Sequence, residues 1–259
     1  SKTMRYLFDF LYCFLSLHAI AQLTDISVEI YVVHDGTTIS ELDGYTTYHV
    51  YANTTSNTDF VSAVFGDSEN VLVFSSEGTI FNSDPSFSYG NEPSSALFGV
   101  IPALEYDSWM TIGMMTAADG GALSNIGMAD AMDSFNTSGN FYIDDPIGGS
   151  WFYPGFPCGA SPIAECSSNY AAFGGDDNKV LLAQITTNGS FTGVFNVQVF
   201  IGGLQANTIN YNGVGFSTNP ADVFGCTDMA ASNYNEIATV DDYSCVLPCT
   251  LELVVESAV

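Results

Sequence analysis

The stretch with most chemical potential runs from Gly225 to Cys245, GCTDMAASNYNEIATVDDYSC. Two cysteines, Cys226 and Cys245, bracket eighteen residues rich in oxygen donors. Asp228, Asn233, Asn235, Asp241 and Asp242 are candidate calcium ligands, because calcium takes about six to eight oxygens from carboxylates, amides and carbonyls. Their spacing follows no EF-hand pattern, and Asp and Asn equally well bond their own backbone in turns. A covalent staple that needs no metal is therefore the simpler reading, and calcium the functional addition to it.

Other constellations are weaker. Cys158 and Cys166 bracket GASPIAE within WFYPGFPCGASPIAECSSNY. The rings before that loop could stack on a glycan. Trp151 and Phe152 suit core anchors better, as does Trp109, which leaves Tyr153 and Phe156 as the glycan-binding candidates. The doublets Asp144-Asp145 and Asp176-Asp177 invite glycoside hydrolysis, which needs two carboxyls about 5–9 Å apart across one bond. Neighbours on a strand point to opposite faces, so neither doublet forms such a pair alone. Asp145 precedes Pro146 and Asp177 precedes Asn178, both turn chemistry. His34 and His49 lack the spacing of a zinc motif. No G-x-S-x-G elbow or phosphate-cradling loop occurs, and the Gly-Gly pairs fit turns.

The elements that must position these residues are strands. ISVEIYVV (26–33) alternates apolar and polar residues, and so does TTYHVYAN (46–53). The latter puts Thr46, Tyr48, Val50 and Ala52 on one face and Thr47, His49 and Tyr51 on the other. FVSAVFG, VLVFSS, SWMTIGMM, KVLLAQITT and FTGVFNVQVFIGG continue the pattern. Asn188-Gly189, between the last two, predicts a tight hairpin. Helical periodicity is confined to GMADAMDSF, Gly127 to Phe135, one or two turns at most. The fold class expected is all-β, an antiparallel β-sandwich or jelly-roll-like domain followed by a small disulfide-stapled module.

The first residues belong to a leader. Met4-Arg5 starts an apolar run, YLFDFLYCFLSLHAI, closed by the small-x-small site Ala19-Ile20-Ala21. That is the grammar of a signal peptide, and the run is shorter than the roughly 20 apolar residues of a membrane span. Residues 1–21 are thus expected to be a signal peptide and the mature chain to carry no membrane span. Export suits the cysteines, whose economical pairings are Cys158 with Cys166 and Cys226 with Cys245, other pairings being open to the sequence. Cys249 is left over.

The chain has 3 basic residues against 29 acidic ones, a net charge of −26. Loss of the leader removes Lys2 and Arg5 and leaves Lys179 as the one remaining basic side chain. No groove for nucleic acid can be built from one lysine, and an anionic membrane surface would repel the protein. Solubility in salt and attraction of divalent cations are what such a surface offers.

A composition change near Ser217-Thr218-Asn219-Pro220 divides the mature chain into a strand-rich domain, 22–217, and a cysteine-stapled module, 218–249. A module this small needs a covalent or metal staple. Residues 250–259, TLELVVESAV, read as the start of a further strand or domain.

The order Gly225, Cys226, Thr227, Asp228, Ala231, Asn233, Tyr234, Asn235, Ala238, Asp241, Asp242, Ser244 and Cys245 resembles a short repeat, G-C-T-D…N-Y-N…D-D-G-S-C. That repeat occurs in large secreted and surface proteins of marine bacteria, notably Bacteroidetes, and of some algae. Tyr243 stands where that repeat usually has Gly, and Ser232 where many copies have a further Cys. TTYHVYAN, FVSAVFGD, GGSWF and KVLLAQITTNGSFTGVFNVQVF resemble a domain of secreted proteins from marine and photosynthetic microbes. The resemblance implies a modular extracellular protein and no particular activity. The expected function is a secreted or cell-surface, non-enzymatic structural or adhesion module, calcium-stabilised if the acidic oxygens form a site. Its partners would be glycans, other surface or matrix proteins and divalent cations. The alternative is a carbohydrate-binding domain of a polysaccharide-active protein, with a glycoside hydrolase third.

Overall fold

The computed structural model describes residues 23–119, 123–154 and 171–248. Residues 1–22 (which include the expected signal peptide), Phe156, the Cys158 and Cys166 loop, Cys249 and the segment from 250 onward lie outside the described residues. Within them the chain is mostly β, with antiparallel sheets and one α-helix.

Four strands form the first sheet: β1 (Leu23–Val33), β2 (Thr46–Thr54), β9 (Lys179–Thr187) and β5 (Trp109–Met110), in the order β1-β2-β9-β5. Its pairings are all antiparallel. The alternation in β2 does what a two-residue period requires: Val50 and Ala52 enter the core, while Thr47, His49 and Tyr51 take the other face.

The second sheet has seven strands. β6 (Ser124–Ile126), β8 (Gly149–Phe152), β3 (Phe60–Gly66), β10 (Phe191–Phe200), β4 (Leu72–Ser76) and β7 (Phe141–Ile143) follow one another, and β11 (Thr208–Ser217) joins β10. β10 is its axis. β11 lies along it from Thr192 to Phe200, while β4 takes residues 191–194 and β3 residues 196–200. Phe60, Val64, Phe74, Trp151, Phe195 and Val197 of this sheet join Val50, Val180, Leu182 and Ile185 of the first in one buried cluster.

Asn196 sits where β3 and β4 meet on β10, and only 1% of it is exposed. Its Nδ2 donates to the carbonyls of Phe65 (2.9 Å), Asn70 (2.9 Å) and Val71 (3.1 Å). Its Oδ1 accepts from Gly213 N at 2.8 Å, where the β10–β11 register slips. One buried amide thereby satisfies backbone groups that the interrupted ladders leave over.

Three expectations change. Asn188-Gly189 does not close a paired hairpin: β9 belongs to the first sheet and β10 to the second. The turn carries the chain between sheets because the 77–81 segment occupies the hairpin's place. Thr79 N donates to Asn188 Oδ1 (2.8 Å), Phe81 N to Thr186 O (2.7 Å) and Glu77 N to Ser190 O (2.8 Å). The helix, α1 (Ala129–Ser138), runs ten residues and so exceeds the expected two turns. It continues past Phe135 to Gly139, whose φ of 73° supplies the left-handed stop. Finally, SWMTIGMM keeps strand geometry only at Trp109 and Met110.

The stapled segment follows β11 directly. Cys226 and Cys245 form a disulfide, as their pairing in the sequence anticipates. β12 (Phe224–Gly225) and β13 (Val240–Asp241) pair in parallel within it. Phe224 lies against Gly215 so closely that a Cβ there would fall 2.2 Å from the ring. Tyr243 packs edge-on against Tyr142 of β7, centroids 5.7 Å apart. Its φ of 61° is left-handed, so the turn that a glycine would favour is kept with a tyrosine.

Candidate functional site

All five candidate calcium ligands lie in the stapled segment, and each spends an oxygen on the backbone or a neighbour. Asp228 Oδ1 accepts from Ala230 N, Asn235 Oδ1 from Ile237 N, Asp241 Oδ1 from Tyr243 N and Asp242 Oδ1 from Ser244 N. Asp241 Oδ2 takes the Thr227 hydroxyl. Asn233 holds the backbone on either side of Cys245, its Oδ1 accepting from Val246 N and its Nδ2 donating to Ser244 O. Such bonds to the residue two positions on are the turn chemistry open to Asp and Asn. Among the described residues no three His, Cys, Asp or Glu side chains converge as a metal-holding group.

Tyr153 is 7% exposed, its ring edge-on to Phe60 at 5.5 Å. Little of that ring is left for a sugar. Trp151 is fully buried and donates its indole N–H to Thr111 O at 3.0 Å, and Trp109 is buried too, as core anchors should be. Asp145 Oδ1 holds the amides of Ile147 and Gly148 in a turn. Asp176 and Asp177 instead line an open hollow.

That hollow belongs to an arrangement the sequence did not single out. Both described histidines and three tyrosines share the outer face of the first sheet. Tyr31 of β1 stacks flat on His49 of β2, centroids 4.2 Å and planes 15° apart. Tyr51 meets His49 edge-on at 5.8 Å, and the Lys179 ammonium lies 5.5 Å above the Tyr51 ring. Lys179 also pairs with Glu29. At the other end His34 is edge-on to Tyr106 at 4.7 Å.

Hydrogen bonds fix these rings from below. Gln184 Nε2 donates to Asp107 O (2.7 Å) and Glu105 O (3.0 Å), so its Oε1 faces His49 Nε2 at 3.0 Å. An amide oxygen only accepts; His49 therefore carries its proton on Nε2 and accepts a hydrogen bond from the Tyr51 hydroxyl at Nδ1, 3.0 Å away. Burial lowers the His49 pKa, which keeps that neutral tautomer. His34 Nε2 meets Thr47 Oγ1 at 2.8 Å, which in turn meets Thr186 Oγ1 at 2.7 Å. Burial also lowers the His34 pKa. Two hollows lie along β1 before and after Tyr31, one at Glu29 and the other at Val32 and Val33, and Tyr31 itself lines neither. One, about 300 Å³, is lined by Glu29, Tyr51, Asp176, Asp177 and Lys179 among others; the other, about 120 Å³, by Val33, His34, Asp35 and Tyr106.

The signal for this face was present in the alternation of β2, where Thr47, His49 and Tyr51 share a side. What the sequence could not supply was the neighbouring strand bearing Glu29 and Tyr31, or the loop bearing Tyr106.

No family model matches the chain, and no curated protein or solved structure is significantly similar to it.

Proposed function

We propose that this protein is an extracellular, non-enzymatic structural or adhesion module, a β-sandwich-like body with a disulfide-closed segment docked on it. The observation that carries this is the Cys226–Cys245 bond, since such bonds form and persist in oxidising compartments. A sandwich-like body is supported by the single buried cluster to which both sheets contribute. The buried carboxylates favour a structural role. Asp59 Oδ1 holds Gly202 N at 2.9 Å, and Asp107 holds Ser83 N at 2.7 Å and Ser108 N at 3.2 Å. The test is expression with the native N-terminus in a Gram-negative bacterium. The protein should be recovered from the periplasm or medium with Cys226 and Cys245 oxidised. Cytosolic protein with both thiols free would refute the proposal.

A second reading, carbohydrate binding, is favoured by the rings and carboxylates on the outer face of the first sheet. Retention by a polysaccharide, with no release of reducing ends from it, would separate this reading from a hydrolase.

A further inference from the structure

We infer that the outer face of the four-stranded sheet is a binding site for an uncharged polysaccharide, with Tyr31 as its stacking platform and the two hollows as flanking subsites. This rests on the carbohydrate-binding reading and moves it away from Tyr153 and Phe156.

Tyr31 is 46% exposed although one of its faces is covered by His49. With 46% of the residue exposed, the ring keeps area for a ligand, and the stack on His49 orients it. A sugar placed on it gains ring contact without ordering a mobile side chain. Glu29 and Tyr31 lie two residues apart on β1, and Val33 and His34 follow. At about 3.3 Å per residue, Glu29 to Val33 spans about 13 Å. A chain of several sugars could thus rest on Tyr31 and reach both hollows. Each hollow offers groups that suit hydroxyls: carboxylates and the Lys179 ammonium in the larger, the His34 ring and Asp35 in the smaller. The Tyr51 hydroxyl donates its hydrogen bond to His49 Nδ1 and so retains lone pairs to accept from a sugar hydroxyl.

Charge selects the ligand class. Glu29, Asp176 and Asp177 outnumber Lys179 at the larger hollow, which repels carboxylated or sulfated chains. A polycation would be attracted by the whole molecule, at a net charge of −26, without needing this face. A neutral chain is the class whose binding would depend on the rings and hydroxyl partners of this face rather than on charge.

Affinity electrophoresis in gels containing laminarin, galactomannan or hydroxyethylcellulose, with alginate as the anionic contrast, tests this at 0.5 M NaCl. The intact protein should be retarded by at least one neutral polymer and not by alginate. Tyr31→Ala, an exposed change, should weaken that retention about tenfold, whereas Tyr142→Ala on the second sheet should leave it unchanged. Retention that survives Tyr31→Ala would overturn this site and leave the carbohydrate reading standing. Absence of retention by every neutral polymer would overturn both. Equal loss in the Tyr142→Ala control would also overturn the site.

Discussion

Asn196 and Asp107 show how single polar residues hold a core that is otherwise aromatic. The Asn196 amide serves three carbonyls and one amide group where two ladders break. Asn196→Ala should therefore cost about 3 kcal/mol or more, since each buried backbone group left without a partner is penalised. Asn196→Asp should be worse, because it aims a carboxylate at three carbonyl oxygens. Urea denaturation of the two variants gives the order directly; a milder Asp variant would refute this role. In the sequence Asn196 was one polar residue in FTGVFNVQVF, with nothing to mark it as the meeting point of β3 and β4. Asp107 predicts a pH effect. Burial pushes its carboxyl up to about 7, against the backbone amides of Ser83, Asp84 and Ser108 that favour the ionised form. With the folded pKa above the unfolded one, the native state binds the extra proton between about pH 4 and 7. Its contribution to stability is then full below pH 4 and lost as pH rises through 7, at most about 1.4 kcal/mol per pH unit. Lowered His34 and His49 values act oppositely, removing stability as pH falls below about 6.5. Asp107→Asn should abolish the first slope and keep the second, measured by urea midpoints from pH 4 to 8. An unchanged profile would mean that Asp107 stays ionised throughout.

The stapled segment and the strand crossing show what could be read of the elements. Cys226 and Cys245 were legible as a pair because they lie close in sequence and an exported chain, as the leader-like N-terminus predicts, would keep the bond. The Asn188-Gly189 hairpin was misread because a local turn signal says nothing of a third segment, and residues 77–81 take the place beside β9 and β10. Closing a loop of this length should contribute about 3 kcal/mol by limiting the unfolded chain. Replacing both cysteines by alanine should remove that amount. The Tyr243 turn gives a finer test. A left-handed non-glycine residue costs about 1–2 kcal/mol, and an aromatic pair such as Tyr243 with Tyr142 returns about 0.5–1.5 kcal/mol. Tyr243→Gly removes both terms and should be nearly neutral. Tyr243→Ala keeps the backbone cost and loses the ring, so it should destabilise by about 1 kcal/mol. An alanine variant at least as stable as the glycine one would show that the left-handed turn imposes no cost, and one as stable as the native protein would show that the Tyr142 contact contributes nothing.

At the scale of the whole molecule charge dominates. The chain carries a net −26, and Lys179 with Glu29 is the one salt bridge among the described residues. That imbalance was fully legible in composition, because it needs no geometry. Self-repulsion of this size destabilises the compact state and is screened by ions, with a Debye length of about 8 Å at physiological salt and about 3 Å at molar salt. The melting midpoint should therefore rise as NaCl is taken from 0.05 to about 0.5 M. Calcium distinguishes this diffuse effect from a built site. Screening by a divalent ion depends on charge alone, so magnesium and calcium would act equally. A cage of about six to eight oxygens favours calcium, because magnesium gives up its own waters reluctantly. With Asp228, Asn235, Asp241 and Asp242 engaged in turn bonds and Asn233 bonded to Ser244 and Val246, equal midpoints in millimolar calcium and magnesium are expected. A calcium-specific rise abolished by Asp241→Asn would instead mean that these oxygens leave their turns to hold the ion, a native-state ligand stabilising by mass action.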